Sequence, residues 1–226
     1  MNLIFEERPS DSPFVETVWR THSESAGSFT SRSASQGEIV VRRYQGKTTL
    51  TVRGPETKAT PAHYPADAEF LGIILKLGAF MLHLPPRVLR NRRDATLPEA
   101  TSTSFWLIGS AWHFPDYENA DTFVSWLVRD NLLVRDPVVE AVLQGRSEEV
   151  SLRSVQRHFL RATGLTHSTF HQIERARYAT ALLEQGVSIL DTVGQAGYFD
   201  QPHLTRSLKH FMGVTPAQMT RLSRPE

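Results

Sequence analysis

Two apolar stripes at helical spacing, joined by a glycine-bearing turn, dominate the stretch Ser188–Phe211, SILDTVGQAGYFDQPHLTRSLKHF. In its first half Ile189, Val193 and Ala196 recur at i, i+4 and i+7; in its second half Leu204, Leu208 and Phe211 repeat the interval. That period is helical, and a narrow stripe leaves water only by closing on a neighbour. Local chemistry sets the ends. Ser188 and Asp200 are suited to accept from the unpaired amides of a first helical turn. Gly197 stands where a left-handed residue ends a helix. Pro202 falls in a first turn, where a missing N–H leaves nothing unsatisfied. The pattern predicts a helix, a tight turn and a second helix.

At about 100° per residue, the face opposite Leu204, Leu208 and Phe211 carries His203, Arg206 and His210, with Lys209 at its edge and Gln201 at the amino end. In a major groove Gln and Arg bond base edges bidentately, and Lys neutralises a phosphate. Gln201, His203 and Arg206 are therefore candidate base readers, and Lys209 a candidate phosphate contact. A solvated face on an ordinary helical hairpin carries similar groups, and single helix-turn-helix patterns often mislead. Recurrence weighs against that reading. Ser151–Gly164, SLRSVQRHFLRATG, sets Val155, Phe159 and Ala162 on one stripe and Arg153, Gln156 and Arg157 opposite, with Leu160 among them. These three are further candidate base readers, and Arg161 a further phosphate contact. Ser151 begins the unit and Gly164 ends it. Between the units, Ser168–Gln185 reads as one helix with Phe170, Ile173, Ala176 and Leu183 over one broad side. Its length, about 27 Å at 1.5 Å per residue, is comparable with the ~34 Å between successive major-groove faces, so both reading helices are expected on one side of a duplex.

At these residues the chain resembles the AraC/XylS family of bacterial regulators. RHFLRATG matches the first unit of that family, and AGYFDQPHLTRSLKHFMGVTPAQ follows its signature G-F-x-D-x-x-x-F-x-R-x-F-K-x-x-x-G-x-[ST]-P. The resemblance covers the chain from Asp136 onward. Tyr198 and Phe199 depart from the usual Phe and small polar residue, and Leu204 from the usual aromatic. Gly194 weakens its helix by ~1 kcal/mol relative to Ala. In the first unit, the helix Pro137–Leu143 is followed by a connector, Gln144–Val150, longer than a tight turn. The resemblance implies binding of double-stranded DNA without a cofactor, and no enzymatic role. It also implies an N-terminal domain that senses a small-molecule effector or forms a homodimer, and leaves RNA polymerase open as a partner.

The charge distribution fits a local reading face. The net charge is only +1, yet Ser151–Arg177 holds Arg153, Arg157, Arg161, Arg175 and Arg177 against Glu174 alone. The acids gather just before it, at Asp136, Glu140, Glu148 and Glu149. A length of 226 residues with 40% hydrophobic content accommodates two modest domains. Asp136-Pro137 is a restart signal, an N-cap before a proline. The expected fold class is α+β: a sheet-rich sensing or dimerisation domain over 1–135, then an all-α domain with two helix-turn-helix units over 136–226. With no cysteine, disulfides and thiolate metal sites are excluded. The amino terminus lacks a secretory pattern, and Phe70–Leu84 is too short and too broken to span a bilayer. A soluble, cytoplasmic protein with no membrane partner is expected.

The N-terminal part is punctuated for strands. Phe14–Trp19 and Phe70–Leu75 are rich in strand formers, and Glu38–Tyr44 with Lys47–Arg53 brackets Gln45-Gly46 as a hairpin. Phe105–Phe114 predicts a further strand pair, Phe80–Leu84 and Pro86–Arg90 short helical turns, and Ser23–Ser35 a mobile loop. Asn119 is placed to cap a helix reaching about Asn131. Trp19, Tyr64, Trp106 and Trp112 are candidates to line an aromatic ligand pocket, although aromatics in a small sheet domain also serve as core. His63, His83 and His113 lack metal spacing, so no metal site is expected. An enzyme on the N-terminal sheet with a DNA-binding appendage, or a protein-interaction module, is the alternative. No phosphate loop, nucleophile elbow or HExxH supports the first.

Overall fold

The computed structural model describes residues 3–91, 93–146 and 150–222; Glu148 and Glu149 of the acidic cluster lie outside them. The chain begins with β1 (Leu3–Pro9), β2 (Val15–Ser23), β3 (Gly27–Ser31), β4 (Glu38–Tyr44), β5 (Lys47–Arg53) and β6 (Thr60–Tyr64). It continues through β7 (Ala68–Leu75), β8 (Ala79–Met81), α1 (Pro86–Leu89), β9 (Ala95–Thr96), β10 (Glu99–Thr101), β11 (Ser104–Leu107) and β12 (Ser110–His113). Then come α2 (Ala120–Arg129), β13 (Leu133–Arg135), α3 (Pro137–Leu143) and α4 (Leu152–Thr163). The last helices are α5 (His167–Glu184), α6 (Ile189–Gln195), α7 (Gln201–Phe211) and α8 (Pro216–Leu222).

These elements form two compact units. The first draws on residues up to Ser28, on Gln36–Pro55 and on His63–Leu165; the second on Phe29–Ser35, Glu56–Ala62 and the chain from Thr166 onward. The division differs from the sequence boundary near Arg135, because α3 and α4 belong to the first unit. Asp136 N–H donates to the Gly78 carbonyl at 3.0 Å, and α4 packs on α1 and β8 as well as on α3.

The first unit is built on a six-stranded antiparallel sheet of order β1-β2-β7-β4-β5-β9. The β4–β5 hairpin turns at Gln45 and Gly46, with φ of 50° and 72°, the paired left-handed turn that matches strand twist. Val18, Ile39, Leu50 and Ile73 are buried on one side of the sheet, where Phe123, Val124 and Leu127 of α2 pack. Asn119 precedes α2, but its side chain accepts from Asp116 N–H at 3.0 Å and does not cap the helix. Phe80 and Met81, expected in a helical turn, form with Ala79 the strand β8 paired with β13. All three side chains are buried, so the run lacks the alternation that marks a strand.

In the second unit α5 packs against α6, α7 and α8 around Ile173, Ala176, Leu183, Leu204 and Leu208. Two pieces from early in the chain complete it. Ser33 N–H donates to the Phe211 carbonyl and Ala59 N–H to the His210 carbonyl, each at 2.8 Å. They satisfy carbonyls that the end of α7 leaves unpaired. Ser23–Ser35 is accordingly not a mobile loop. It contains the end of β2 and all of β3, with Ser23, Ser33 and Ser35 buried. Ser35 Oγ donates to Glu174 at 2.9 Å, and Ser23 Oγ to the Pro65 carbonyl at 2.7 Å.

Candidate nucleic-acid interface

Helix α7 is fixed at both ends and along one side. Asp200 accepts from His203 N–H at 2.6 Å and Pro202 occupies the first turn. Leu204, Leu208 and Phe211 are buried. Gln201, Arg206 and Lys209 are exposed, as their positions on the helical wheel require. His203 is placed otherwise: it is half-buried, its ring edge-on to Tyr198 at 5.1 Å between centroids. A first-turn side chain leans back toward the preceding turn, and here that space holds an aromatic ring.

Helix α6 starts at Ser188, which accepts from Asp191 N–H at 3.1 Å, and the chain leaves it through Gly197 at φ 67°. Its buried stripe is rotated from the expected one. Thr192 is fully buried beside Ala196, whereas Ile189 and Val193 are half-buried and Leu190 is exposed. The helix has only seven residues, and Thr192 is the buried one among them.

Sequence reasoning missed the group that sets the angle between α6 and α7. Tyr198 is buried, its hydroxyl 2.9 Å from Ser207 Oγ. The Arg175 guanidinium lies 4.6 Å from the Tyr198 ring centroid and donates to the Gly197 carbonyl at 3.4 Å. Arg175 thus leaves the basic face and braces the turn from α5. A tyrosine two positions before an N-cap was the available signal.

Helix α4 repeats the design of α7. Ser151 accepts from Ser154 N–H at 3.3 Å, and Gly164 ends the helix at φ 70°. A Cβ on Gly164 would stand 2.8 Å from the Pro86 carbonyl carbon, so close approach and dihedral both require glycine. Val155, Phe159 and Ala162 are buried; Arg153, Gln156, Arg157 and Arg161 are exposed. The supporting helix α3 has the expected bounds. Asp136 accepts from Val138 N–H and Val139 N–H, and its other oxygen meets His158 Nδ1 of α4 at 2.8 Å. One buried carboxylate therefore caps α3 and ties it to α4.

Residues 146–221 match the family model described as a helix-turn-helix domain. This segment is an AraC-type helix-turn-helix domain. The HTH-type transcriptional regulator RipA of Corynebacterium glutamicum is 32% identical over 91 residues, which are 39% of this chain and 28% of that protein. The chain thus spans less than a third of the length of this curated relative. Among solved structures, ToxT from Vibrio cholerae aligns over 96% of this chain and 98% of its own, at 11% identity and a TM-score of 0.38. A second ToxT structure, from Vibrio cholerae O395, aligns over 98% and 99%, at 8% identity and a TM-score of 0.40.

Outside the AraC-type domain, the four candidate pocket aromatics lie in separate surroundings. Trp19 stacks near Phe5 and donates to Glu38 at 2.7 Å, and Tyr64 lies against Gly27. Trp106 is exposed on β11, while Trp112 packs edge-on against Phe123. The first unit instead has a cleft of about 360 Å³ on its main sheet, lined by none of them. Its floor includes Val41 and Leu71, neighbours across β4 and β7. Its rim includes Arg20, which donates to Glu6 at 2.7 Å and lies 4.4 Å from the Tyr117 ring centroid. The bonded Glu6 carboxylate raises the Arg20 guanidinium above its ordinary value, against slight desolvation. Among the described residues no three His, Cys, Asp or Glu side chains gather as a metal site, and no helix is long and apolar enough to cross a membrane.

Proposed function

We propose that this chain is a sequence-specific DNA-binding transcription regulator in which α7 and α4 read base edges. The observation that carries the reading is α7 itself. Gln201, Arg206 and Lys209 stand exposed on a helix whose opposite side is locked by Leu204, Leu208 and Phe211. Such a helix presents bidentate donors to a major groove without losing its own packing. On α4, Arg153, Gln156 and Arg157 supply the second set of base readers and Arg161 a phosphate contact. His203, turned against Tyr198, belongs to the support of α7 more than to its reading edge.

Asp136–Glu226 is taken as the DNA-binding part and the preceding residues as the regulatory part, responding to a small molecule or to pairing of two copies. The sheet cleft floored by Val41 and Leu71, with charged groups at its rim, suits an amphipathic effector. RNA polymerase is the partner through which bound regulator would act. Selection of duplexes from a random pool by the full chain tests the reading. A shared motif should emerge, and Arg206→Ala should relax it at one position. A pool that stays random under saturating protein would defeat it.

A further inference from the structure

The amino end of α5 carries two histidines one turn apart, His167 and His171. Their Nε2 atoms are 2.9 Å apart, and the rings stand at 86° with centroids separated by 4.1 Å. Two imidazole nitrogens at that distance share one proton: one donates it and the other offers a lone pair. Burial, followed by the influence of His171, holds His167 below the ordinary imidazole range.

The spacing selects among metals. Nitrogens about 2.0–2.1 Å from a common ion and 2.9 Å from each other subtend close to a right angle there. Tetrahedral zinc with the same bond lengths needs a separation of about 3.3 Å. A right angle is instead the cis angle of tetragonal and octahedral shells, which Cu²⁺ and Ni²⁺ adopt with nitrogen and oxygen donors. An open depression that His171 lines together with Ser168, Gln172, Glu174, Arg175 and Tyr178 exposes that side of the pair to solvent. We propose that His167 and His171 form a two-nitrogen chelate for Cu²⁺ or Ni²⁺, with the ion replacing their shared proton and solvent completing its shell.

The test uses the full chain in a non-coordinating buffer. Calorimetric titration with NiCl₂ or CuCl₂ should show one dominant equivalent, with copper tighter than nickel. Mg²⁺ and Ca²⁺, which seek oxygen ligands, should not compete. His167→Gln and His171→Gln should each weaken that equivalent by about 100-fold, because a chelate becomes a single contact. A second readout needs no variant: in histidine-selective NMR of the unaltered chain, substoichiometric Cu²⁺ should broaden the His167 and His171 rings first. Titrations unchanged in both variants, or first broadening at other histidines such as His158 or His210, would overturn the proposal.

Discussion

Replacing Leu204 by Ala separates what holds α7 from what α7 reads. Leu204 is fully buried, between α7 and the helices that support it. Truncation removes its buried methyl groups and leaves a cavity, and such changes cost about 2–5 kcal/mol. For a chain of this size each kcal/mol lowers Tm by about 2–4 °C, so a drop on the order of 10 °C is expected. Arg206→Ala, two residues along and on the opposite, exposed side, should leave stability within about 0.5 kcal/mol. Its affinity for a selected duplex should nevertheless fall by about 1–3 kcal/mol, roughly fivefold to over a hundredfold. The assays are thermal unfolding and duplex binding at fixed salt, with both variants run in parallel. A stable Leu204→Ala, or an Arg206→Ala that loses stability and affinity together, would show that the buried and reading faces are misassigned.

Three further perturbations probe the supports. Tyr198→Phe deletes the 2.9 Å contact with Ser207 while keeping the ring under Arg175; urea unfolding should show a loss of about 0.5–1.5 kcal/mol, and an unchanged midpoint would refute the bracing role. Asp136→Ala removes the cap of α3 and the partner of His158. It should cost about 2 kcal/mol, with Asp136→Asn recovering much of the loss because an amide oxygen still caps. Asp121 is desolvated, which alone would raise its pKa, but hydrogen bonds from Ser10 and Arg8 and the charge of Arg8 hold it below the ordinary carboxylate value. A depressed carboxylate contributes stability above about pH 4 that disappears as pH falls through the folded value. Asp121→Asn should therefore be less stable than the parent at neutral pH, with the gap closing on acidification; a gap that widens instead has the sign wrong.

What could be read from the sequence was what neighbouring residues decide among themselves. Ser151, Ser188, Asp136 and Asp200 cap their helices as expected, because each bond spans two or three residues. The β4–β5 hairpin is equally local, set by two residues of positive φ. The contacts that were not legible depend on distant partners. Thr192 sits on α6, which packs against α5, and Arg175 of α5 is diverted to the Gly197 carbonyl in the turn after α6. Trp19, Tyr64, Trp106 and Trp112 scatter because strand pairing assigns each to a different surface. Nothing near Ser33 or Ala59 in the sequence announces that their amides finish α7. The exposure of Gln201, Arg206 and Lys209 opposite Leu204, Leu208 and Phe211 was legible because that stripe is local. His203 was the exception, since its exposure depended on Tyr198.

The central claim, that α7 lies in the groove of a duplex, is tested most directly by the salt dependence of binding. Affinity of the full chain for a selected duplex, measured from low to moderate salt, should fall linearly on logarithmic axes as phosphate contacts release counterions. Lys209→Ala should reduce that slope by about one and weaken binding to specific and unrelated duplexes alike. Arg206→Ala should lower affinity for the selected sequence more than for unrelated ones. Affinity indifferent to salt, or a slope untouched by Lys209→Ala, would contradict the account.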